Sequence, residues 1–311
     1  MRGLPSPEGR ASFCAKFERA APISRIESPA KDGQGRLNTS TVFWFAILLG
    51  YLNRGTVYPF IHIGPLTLGT YGIMVATGLI CAFFVIRADL GRRGYGAEAE
   101  NIIGTTGLAG LVGARLYHLL EAPSEFFAHP LRLLFSTMGF AWFGAVIGGF
   151  VALVLLARHY QMKILLMLDI ASPAAAIGYG VGRIGCLISG DGDYGIPTAL
   201  PWGMSFPNGL VPTTEKVHPT PIYEFLGAML IGYILWRVGA RAIDGLRPAG
   251  EVFALYLILT GVARFLVEII RINPRSFFGL TNAQAASIAS VLAGVFLLLA
   301  LLRRIRPQTV I

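Results

Sequence analysis

The stretch GYGVGRIGCLISGDGDYG, residues 178–195, decides the class of this protein. It begins as a glycine-rich apolar segment, the kind of sequence that lets membrane helices approach closely. It then presents Arg183 before a run of Gly, Ser and Asp. An ionisable side chain in a membrane segment is costly and usually marks a functional site. Since Arg183 has no carboxylate close by within its own span, we expect it to bind an anion.

The composition of the whole chain indicates a lipid environment. Its 311 residues are 54% hydrophobic and 14% charged, whereas a soluble domain has about 25% charged residues. The net charge of +9 is typical of basic loops beside anionic lipid head groups, so we expect the lipid bilayer as a partner and no nucleic acid. The cysteines are scattered at Cys14, Cys81 and Cys186, without metal-ligand spacing. We expect no metal and no cofactor.

Long apolar runs then predict the fold class. Seven segments long enough to cross a bilayer lie near residues 69–87, 101–120, 137–157, 164–183, 221–238, 251–270 and 283–303. Lipid admits only helices or closed barrels, and these runs are too long for barrel strands. The sequence therefore predicts an all-α integral membrane protein with seven transmembrane helices.

The distribution of Lys and Arg predicts how these helices are oriented. The side with the larger number of basic residues carries Arg87, Arg92, Arg93, Arg158, Lys163, Arg237, Arg241, Arg247, Arg303, Arg304 and Arg306. The other side carries Arg132, Lys216, Arg271 and Arg275, with Arg183 at its border. We expect the first side to be cytoplasmic, which places the C-terminus inside and the N-terminal end of the core outside.

The same patterns divide the chain into three parts. Residues 1–40 are polar and rich in Pro and Ser, which predicts a disordered tail. Residues 41–67 include an apolar run too short to span comfortably, which favours an interfacial or partly inserted segment. Residues 68–306 form the seven-helix membrane domain, with an extracytoplasmic loop at 190–220. Loops of this length in a compact protein are usually functional.

Ionisable residues inside the spans are the candidates for a site. Arg264 and Glu268 are four residues apart, so they lie on one face of a helix; they either serve a ligand or neutralise each other. Asp169 lies near the cytoplasmic interface, where snorkelling or capping is the alternative to function. Arg115 either serves a ligand or pairs with a carboxylate for structure.

Two arginines in the extracytoplasmic half predict a phosphate site. Arg183 and Arg264 together offer the bidentate, charge-assisted hydrogen bonds that phosphate prefers. Access from the bilayer would make that phosphate a phospholipid head group. His218, Tyr223 and Glu224 follow in sequence and are predicted to lie in the same half, where they supply acid, base or orienting groups. For His218 the alternative is a structural place in the loop VHPTP.

These residues resemble a known family, the bacterial prolipoprotein diacylglyceryl transferases, over about residues 60–306. Six ordered blocks carry the resemblance: IGPLTLGTYGIM (63–74), GARLYHLL (113–120), the signature at 169–195, LPWGMSFP (200–207), HPTPIYE (218–224) and RFLVEIIR (264–271). Gln284 lies at a glutamine that is usual in the family. The resemblance assigns Arg183 to the essential arginine, Tyr71 to a tyrosine at the start of the first core span, and Gly195 to the glycine that closes the signature.

The resemblance implies an enzyme that transfers the diacylglyceryl group of phosphatidylglycerol to the lipobox cysteine of a prolipoprotein and releases glycerol phosphate. It implies the bacterial cytoplasmic (inner) membrane, with the active site toward its extracytoplasmic half. The catalytic residues are then expected to be Arg183, His218, Glu224, Arg264 and Glu268. The residues expected to bind phosphatidylglycerol are Tyr71, Arg183, Asp191, Gly195 and Arg264.

The chain also departs from the family pattern. Phe143 replaces a histidine important for activity in the family, and Cys186 and Ser189 replace asparagines. Thr260 and Pro221 replace a tyrosine and a glutamine, and one extra residue lies between Gly190 and Gly195. His118 is a candidate to compensate for Phe143. The alternative function is that of a divergent lipid-binding or differently specific membrane protein without this transferase activity.

Overall fold

The computed structural model describes residues 57–64, 66–121, 123–128, 141–241, 247–276 and 278–305. The predicted tail 1–40, and most of the segment 41–67, lie outside the described residues. Within the described part, helices α1–α8 span Thr70–Arg92, Ala99–Glu121, Pro123–Ala128, Trp142–His159, Ile164–Ser189, Thr220–Arg241, Glu251–Glu268 and Asn282–Ile305. The described part also contains two antiparallel β-hairpins, which were not predicted from the sequence. Their strands β1–β4 span Phe60–Ile63, Leu66–Gly69, Met204–Phe206 and Thr213–Val217.

The long helices coincide with the apolar runs in the sequence. Among the described residues, four helices are long and apolar enough to cross a membrane: Thr70–Arg92, Ile164–Ser189, Thr220–Arg241 and Asn282–Arg303. The helix Phe143–His159 is apolar but shorter, and α2 and α7 carry ionisable residues within their apolar sequence. The prediction of an all-α membrane protein is confirmed at this level.

Helix α5 is the central element, because it packs against α1, α4, α6 and α7. Its small residues allow close approach, since a Cβ placed on Gly78 of α1 would lie 2.8 Å from the carbonyl oxygen of Gly178. The helix also continues to Ser189, beyond the end predicted near residue 183. The apolar residues after Arg183 extend the helical pattern, so Arg183 lies within the last two turns of α5 and not at its end.

Asp169 joins the N-terminal part of α5 to the start of α7. Its two carboxylate oxygens accept hydrogen bonds from the backbone N–H groups of Gly250, at 2.6 Å, and Phe253, at 2.7 Å. Helices begin with unpaired N–H groups, and a carboxylate at that end is favoured by the helix dipole. The capping alternative for Asp169 is therefore what the structure shows, with the cap supplied from a neighbouring helix.

Residues 190–220 fold into an ordered cap over the ends of α5 and α6. Phe206 and Val217 are buried there, and the ring of Phe206 stacks on Tyr194 with centroids 5.2 Å apart. The backbone N–H of Thr198 donates to the carbonyl of Lys216 at 2.8 Å. This packing holds the loop against the helix ends that carry the candidate site residues.

Helices α2 and α4 form a close pair of their own. A Cβ on Gly144 would lie 2.2 Å from the carbonyl oxygen of Gly113, and one on Gly148 would lie 2.3 Å from that of Ala109. Along this pair runs an apolar groove of about 690 Å³, lined in part by Leu116 and Ile147. Only glycine permits this backbone contact, since any side chain would separate the two helices.

This crossing predicts a position-specific effect of adding one methyl group. Gly144→Ala is expected to lower the stability of the protein by about 2 kcal/mol, because the backbone of Gly113 cannot move away without separating the helices. The midpoint temperature of thermal unfolding in a neutral detergent measures this loss of stability.

Gly104→Ala is the matched control on α2. A Cβ at Gly104 meets no atom within 4 Å, so the replacement should raise stability by about 0.5–1 kcal/mol through helix propensity alone. Equal losses of stability in the two variants would contradict the close crossing.

Candidate functional site

Three arginines and three carboxylates meet where α5, α6, α7 and the loop 190–220 come together. We call this set the charge cluster; it consists of Arg183, Asp193, Glu224, Arg264, Glu268 and Arg271. Each member contacts at least one residue of opposite charge, and the members come from four separate segments of the chain. The fold thus brings Arg183, Arg264, Glu224 and Glu268 together, although they are up to 85 residues apart.

Glu224 is the centre of the charge cluster. Its Oε1 accepts hydrogen bonds from Arg264 Nη1 and from the Tyr179 hydroxyl, both at 2.6 Å. Its Oε2 lies 3.3 Å from Arg271 Nη1 and 3.7 Å from Arg183 Nη1. The side chain is only 3% exposed, so Glu224 holds three arginines in a region of low dielectric constant.

Glu268 supports Arg264 from the same helix. Arg264 Nη2 lies 2.9 Å from Glu268 Oε2, and Asn273 Nδ2 donates to Glu268 Oε1 at 2.5 Å. The spacing of four residues on α7 produces this pair, as expected for adjacent turns. Since Glu268 is fully buried, its charge fixes the position of the Arg264 guanidinium.

Asp193 closes the charge cluster from the loop. Its two carboxylate oxygens bind Arg183 and Arg271, one oxygen to each. Its backbone carbonyl accepts a hydrogen bond from Thr220 Oγ1 at 2.5 Å. Burial acts to raise the pKa of Asp193, but Arg271 and then Arg183 outweigh it, so the pKa lies below its ordinary value of 3.8. Asp193 is therefore a carboxylate at neutral pH.

Gly195 places the loop against the start of the segment after α7. Its N–H donates to the carbonyl of His218 at 2.9 Å, and the next N–H, of Ile196, donates to the carbonyl of Ile270 at 2.8 Å. A Cβ at Gly195 would lie 2.7 Å from that Ile270 oxygen. Glycine is needed here because the Ile270 carbonyl and the side chains of His218 and Thr220 leave no room for a side chain.

His218 belongs to a chain of hydrogen bonds beside the charge cluster. His218 Nδ1 lies 3.2 Å from the Tyr223 hydroxyl, which accepts a hydrogen bond from Trp202 Nε1 at 2.8 Å. The backbone carbonyl of His218 accepts a hydrogen bond from the N–H of Gly195, two residues after Asp193, which keeps this chain near the charge cluster. His218 is thereby oriented, as an acid or base needs to be.

Tyr71 and Asp191 lie near Arg183, and its charge acts on both groups. The side chain of Tyr71, half-exposed on α1, rests on Gly185, where a Cβ would lie 3.2 Å from Tyr71 Cδ2. Asp191 accepts a hydrogen bond from the N–H of Asp193 at 3.2 Å. Burial, and then the nearby charge of Asp193, raise the pKa of Asp191. Both residues are thus within the surroundings of Arg183 without binding it in an ion pair.

Three possible metal ligands lie together beside Arg183: Cys186, Asp191 and Asp193. Their ligand atoms lie within 4.8 Å of one another. However, both oxygens of Asp193 are bound by arginines, and Arg183 Nη1 is 3.7 Å from Cys186 Sγ. Positive charges so close oppose a divalent cation and favour an anion, which agrees with the donor chemistry expected for phosphate.

The sequence did not single out three residues in or beside the charge cluster: Tyr179, Asp193 and Arg271. Arg271 was counted only as a loop charge, and it indeed lies beyond the end of α7 at Glu268, where its backbone pairs with Gly195. Asp193 lies in the polar loop after α5, where an acidic residue is ordinary. Tyr179 lies four residues before Arg183, whose guanidinium covers the Tyr179 ring at 4.8 Å from its centroid.

Phe143 and His118, on α4 and α2, make their contacts outside the charge cluster. Phe143 is 60% exposed, and its ring contacts Tyr117 with centroids 6.3 Å apart. His118 Nδ1 lies 4.0 Å from Glu121 Oε2. The contacts of Phe143 and His118 are thus made within or beside their own helix pair, and the charge cluster is assembled without them.

Loss of the Glu224 carboxylate should lower the stability of the protein. Removing one partner of a buried ion network leaves an uncompensated charge, so Glu224→Gln is expected to cost about 3 kcal/mol of stability. Thermal unfolding of the purified protein measures this. Glu215→Gln, which removes a carboxylate from an exposed position of β4, is the control and should leave stability unchanged; an equal loss there would assign the effect to net charge.

The pKa of Asp193 predicts the pH dependence of its contribution to stability. Because this pKa is lower in the folded protein than in the unfolded chain, the stabilisation is fully present above about pH 4 and is lost as the pH falls through the folded pKa. The difference in unfolding temperature between wild type and Asp193→Asn should stay constant from about pH 7 to 5 and shrink below about pH 4. A difference that grows on acidification would contradict the ion pairs of Asp193.

Comparison with known proteins identifies the family of the chain. The family model described as prolipoprotein diacylglyceryl transferase matches residues 59–300. A phosphatidylglycerol–prolipoprotein diacylglyceryl transferase of Clostridium tetani is 32% identical over 229 residues, which cover 73% of this chain and 90% of the relative. Those of Geobacter sulfurreducens and Cupriavidus pinatubonensis are 36% and 34% identical, over 71% and 78% of this chain and 84% and 91% of the relatives.

The matched region contains every member of the charge cluster, and the resemblance found in the sequence is confirmed. The chain belongs to the prolipoprotein diacylglyceryl transferase family and is a membrane transferase of lipoprotein biosynthesis.

Proposed function

We propose that the charge cluster binds the phosphate of phosphatidylglycerol while the diacylglyceryl group is transferred to the lipobox cysteine thiol of a prolipoprotein. The observation that carries this proposal is the convergence of Arg183, Arg264 and Arg271 on buried carboxylates at one end of α5, α6 and α7. Partly buried arginines, with their planar donor groups, are the side chains best suited to a phosphate.

The reaction forms one bond and breaks one. The cysteine sulfur, as a thiolate, attacks the terminal glycerol carbon of the diacylglyceryl group. The bond from that carbon to the phosphate oxygen breaks, and glycerol phosphate leaves with the bonding electron pair. The proton of the thiol passes to a base and then to solvent or to the released phosphate. Negative charge therefore grows on the phosphate during the step, and fixed cations in a dry site stabilise it.

The contacts support separate roles for the site residues. Arg183 and Arg264 bind the phosphate and stabilise its developing charge. Glu224 and Glu268 each accept hydrogen bonds or ion pairs from arginines, so they act by holding those arginines in place. His218, oriented by Tyr223, is the residue that we assign to proton transfer.

The remaining site residues shape the approach of the lipid. Tyr71 is half-exposed beside Gly185 and offers a hydroxyl to the head group. Gly195 and Asp191 set the path of the loop that covers Arg183. Phe143 takes no part in proton transfer in this proposal, because that role is assigned to His218. The Phe143 ring contacts Tyr117 instead.

The same proposal includes the topology. All seven helices of 18 or more residues in the described part cross the bilayer of the bacterial cytoplasmic membrane, with the N-terminal end of the core outside and the C-terminus cytoplasmic. The basic residues support this orientation, because Arg92, Arg158 and Arg241 lie in the last turns of α1, α4 and α6, on the side that the positive-inside rule assigns to the cytoplasm. The charge cluster then faces the extracytoplasmic half.

A divergent lipid-binding protein without transferase activity is the second candidate. Phe143 cannot transfer a proton, and Cys186 replaces an asparagine of the family signature. Both candidates require the phosphate site, so they differ only in whether the transfer step takes place.

Mass measurement of a lipobox peptide separates the two candidates. The purified full-length protein is incubated with phosphatidylglycerol and the peptide, with a histidine-bearing family member as the positive control. We expect the peptide to gain the mass of one diacylglyceryl group at its cysteine. A gain with the control protein alone would favour the lipid-binding candidate, and complementation of a transferase-depleted strain provides the cellular counterpart.

Arg183→Ala should reduce the initial rate of this transfer by at least about 100-fold, the typical cost of losing one group that stabilises a developing anion. Arg237→Ala is the matched control, because Arg237 is exposed on α6 and contacts Tyr233. A wild-type rate for Arg183→Ala would mean that the phosphate binds elsewhere, and an equal loss in Arg237→Ala would indicate a general effect of lost positive charge.

A further inference from the structure

Asp193 occupies the place between two arginines where an anionic ligand is expected. One of its oxygens binds Arg183 and the other binds Arg271. A phosphate bridging the same two guanidinium groups would use the same donors. The carboxylate and a ligand phosphate therefore compete for the same hydrogen bonds.

Asp193 is the one carboxylate of the charge cluster with a route to water. Its side chain is 31% exposed, whereas Glu224 is 3% exposed and Glu268 is completely buried. Moving Glu224 or Glu268 away from the arginines would leave a charge in the interior, which is strongly unfavourable. Asp193 can turn outward and be hydrated, so it is the exchangeable anion.

Charge balance favours such an exchange. Three arginines and three carboxylates give the charge cluster a formal charge of zero. Adding the single negative charge of a phosphodiester to this buried set would leave an excess charge at low dielectric constant, which is costly. Release of Asp193 into water as the phosphate binds restores a net charge of zero.

The backbone around Asp193 is suited to this movement. Gly190, at φ +59°, and Gly192, at φ +94°, lie on its N-terminal side, and glycine changes backbone conformation more easily than any other residue. On the C-terminal side Gly195 is fixed by its hydrogen bond to His218. The freedom to move is thus confined to the few residues around Asp193.

We propose that Asp193 is an internal anion that occupies the phosphate position in the lipid-free protein and is displaced by the phosphate of the incoming lipid. This inference rests on the proposed assignment of the charge cluster as a phosphate site. The displacement makes binding selective for ligands that bring a phosphate, because a diacylglycerol has no charge with which to replace Asp193.

Lipid affinity is the first test. The full-length protein is titrated in a neutral maltoside detergent, which contains no phosphate, with phosphatidylglycerol, with diacylglycerol, or with inorganic phosphate as the soluble source. An internal competitor leaves the site free for only a fraction of the time, and the apparent affinity is reduced to that fraction of its intrinsic value. Asp193→Asn removes the competing charge, so it should bind phosphatidylglycerol about tenfold more tightly than wild type. Diacylglycerol binding should not change.

Two variants separate displacement from a general charge effect. Glu215→Gln removes one negative charge from the same loop at an exposed position, and we expect wild-type affinity. Asp193→Glu keeps the carboxylate and should return the affinity toward wild type. Equal affinity of wild type and Asp193→Asn, or weaker binding by Asp193→Asn, would overturn the inference.

Hydrogen exchange of the wild-type protein tests the movement directly and needs no variant. Saturating phosphatidylglycerol should increase amide exchange in residues 191–194, where the Asp193 N–H donates to Asp191 in the lipid-free state. Diacylglycerol should leave it unchanged. Reduced exchange in this segment with phosphatidylglycerol would show that Asp193 becomes more fixed and would overturn the displacement.

The outcomes remain distinguishable from those of the transfer assay. Increased exchange at 191–194 without any mass gain of the lipobox peptide would support the internal anion and contradict the transferase proposal. Mass gain without increased exchange would support the transferase proposal and contradict the internal anion. If inorganic phosphate alone produces the increase, the inference holds with free phosphate as a displacing anion.

Discussion

The structure depends on balancing the charges of three partly buried arginines. Arginine stays charged in any protein environment, so Arg183, Arg264 and Arg271 must each find carboxylates once α5, α6 and α7 come together. Glu224 does this from α6, Glu268 from α7 and Asp193 from the loop. The requirement fixes the rotation of three helices and the path of the loop at once, and it explains why the ends of these elements meet at one place.

A second charged contact at the far end of the same helices complements the first. Asp169 binds the start of α7, and it is separated from Arg183 by 14 residues of α5, roughly 21 Å of helix. Helices α5 and α7 are thus joined near both ends, at one end directly and at the other through Glu224. The glycines of α5 allow its neighbours to approach closely, so that the short carboxylates reach their partners.

Much of this arrangement was predictable from the sequence, for reasons that also explain what was not. The helices follow from long apolar runs, and Arg183, Arg264 and Glu268 stand out because they are charged within such runs. Arg271 and Asp193 lie in polar segments where charge is ordinary, so only the three-dimensional contacts reveal them. The end of α5 was misplaced because Arg183 was read as a boundary, whereas Ile184, Leu187 and Ile188 continue the helix.

The hydrogen bond between Trp202 and Tyr223 has a practical consequence. The chain has four tryptophans, and Trp202 is the one that lies in the loop 190–220. Its indole N–H donates to the hydroxyl that also contacts His218, while the ring remains half-exposed at the surface of the loop. Indole emission responds to both hydrogen bonding and hydration, so the protein carries an intrinsic optical probe beside the charge cluster, one that requires no label.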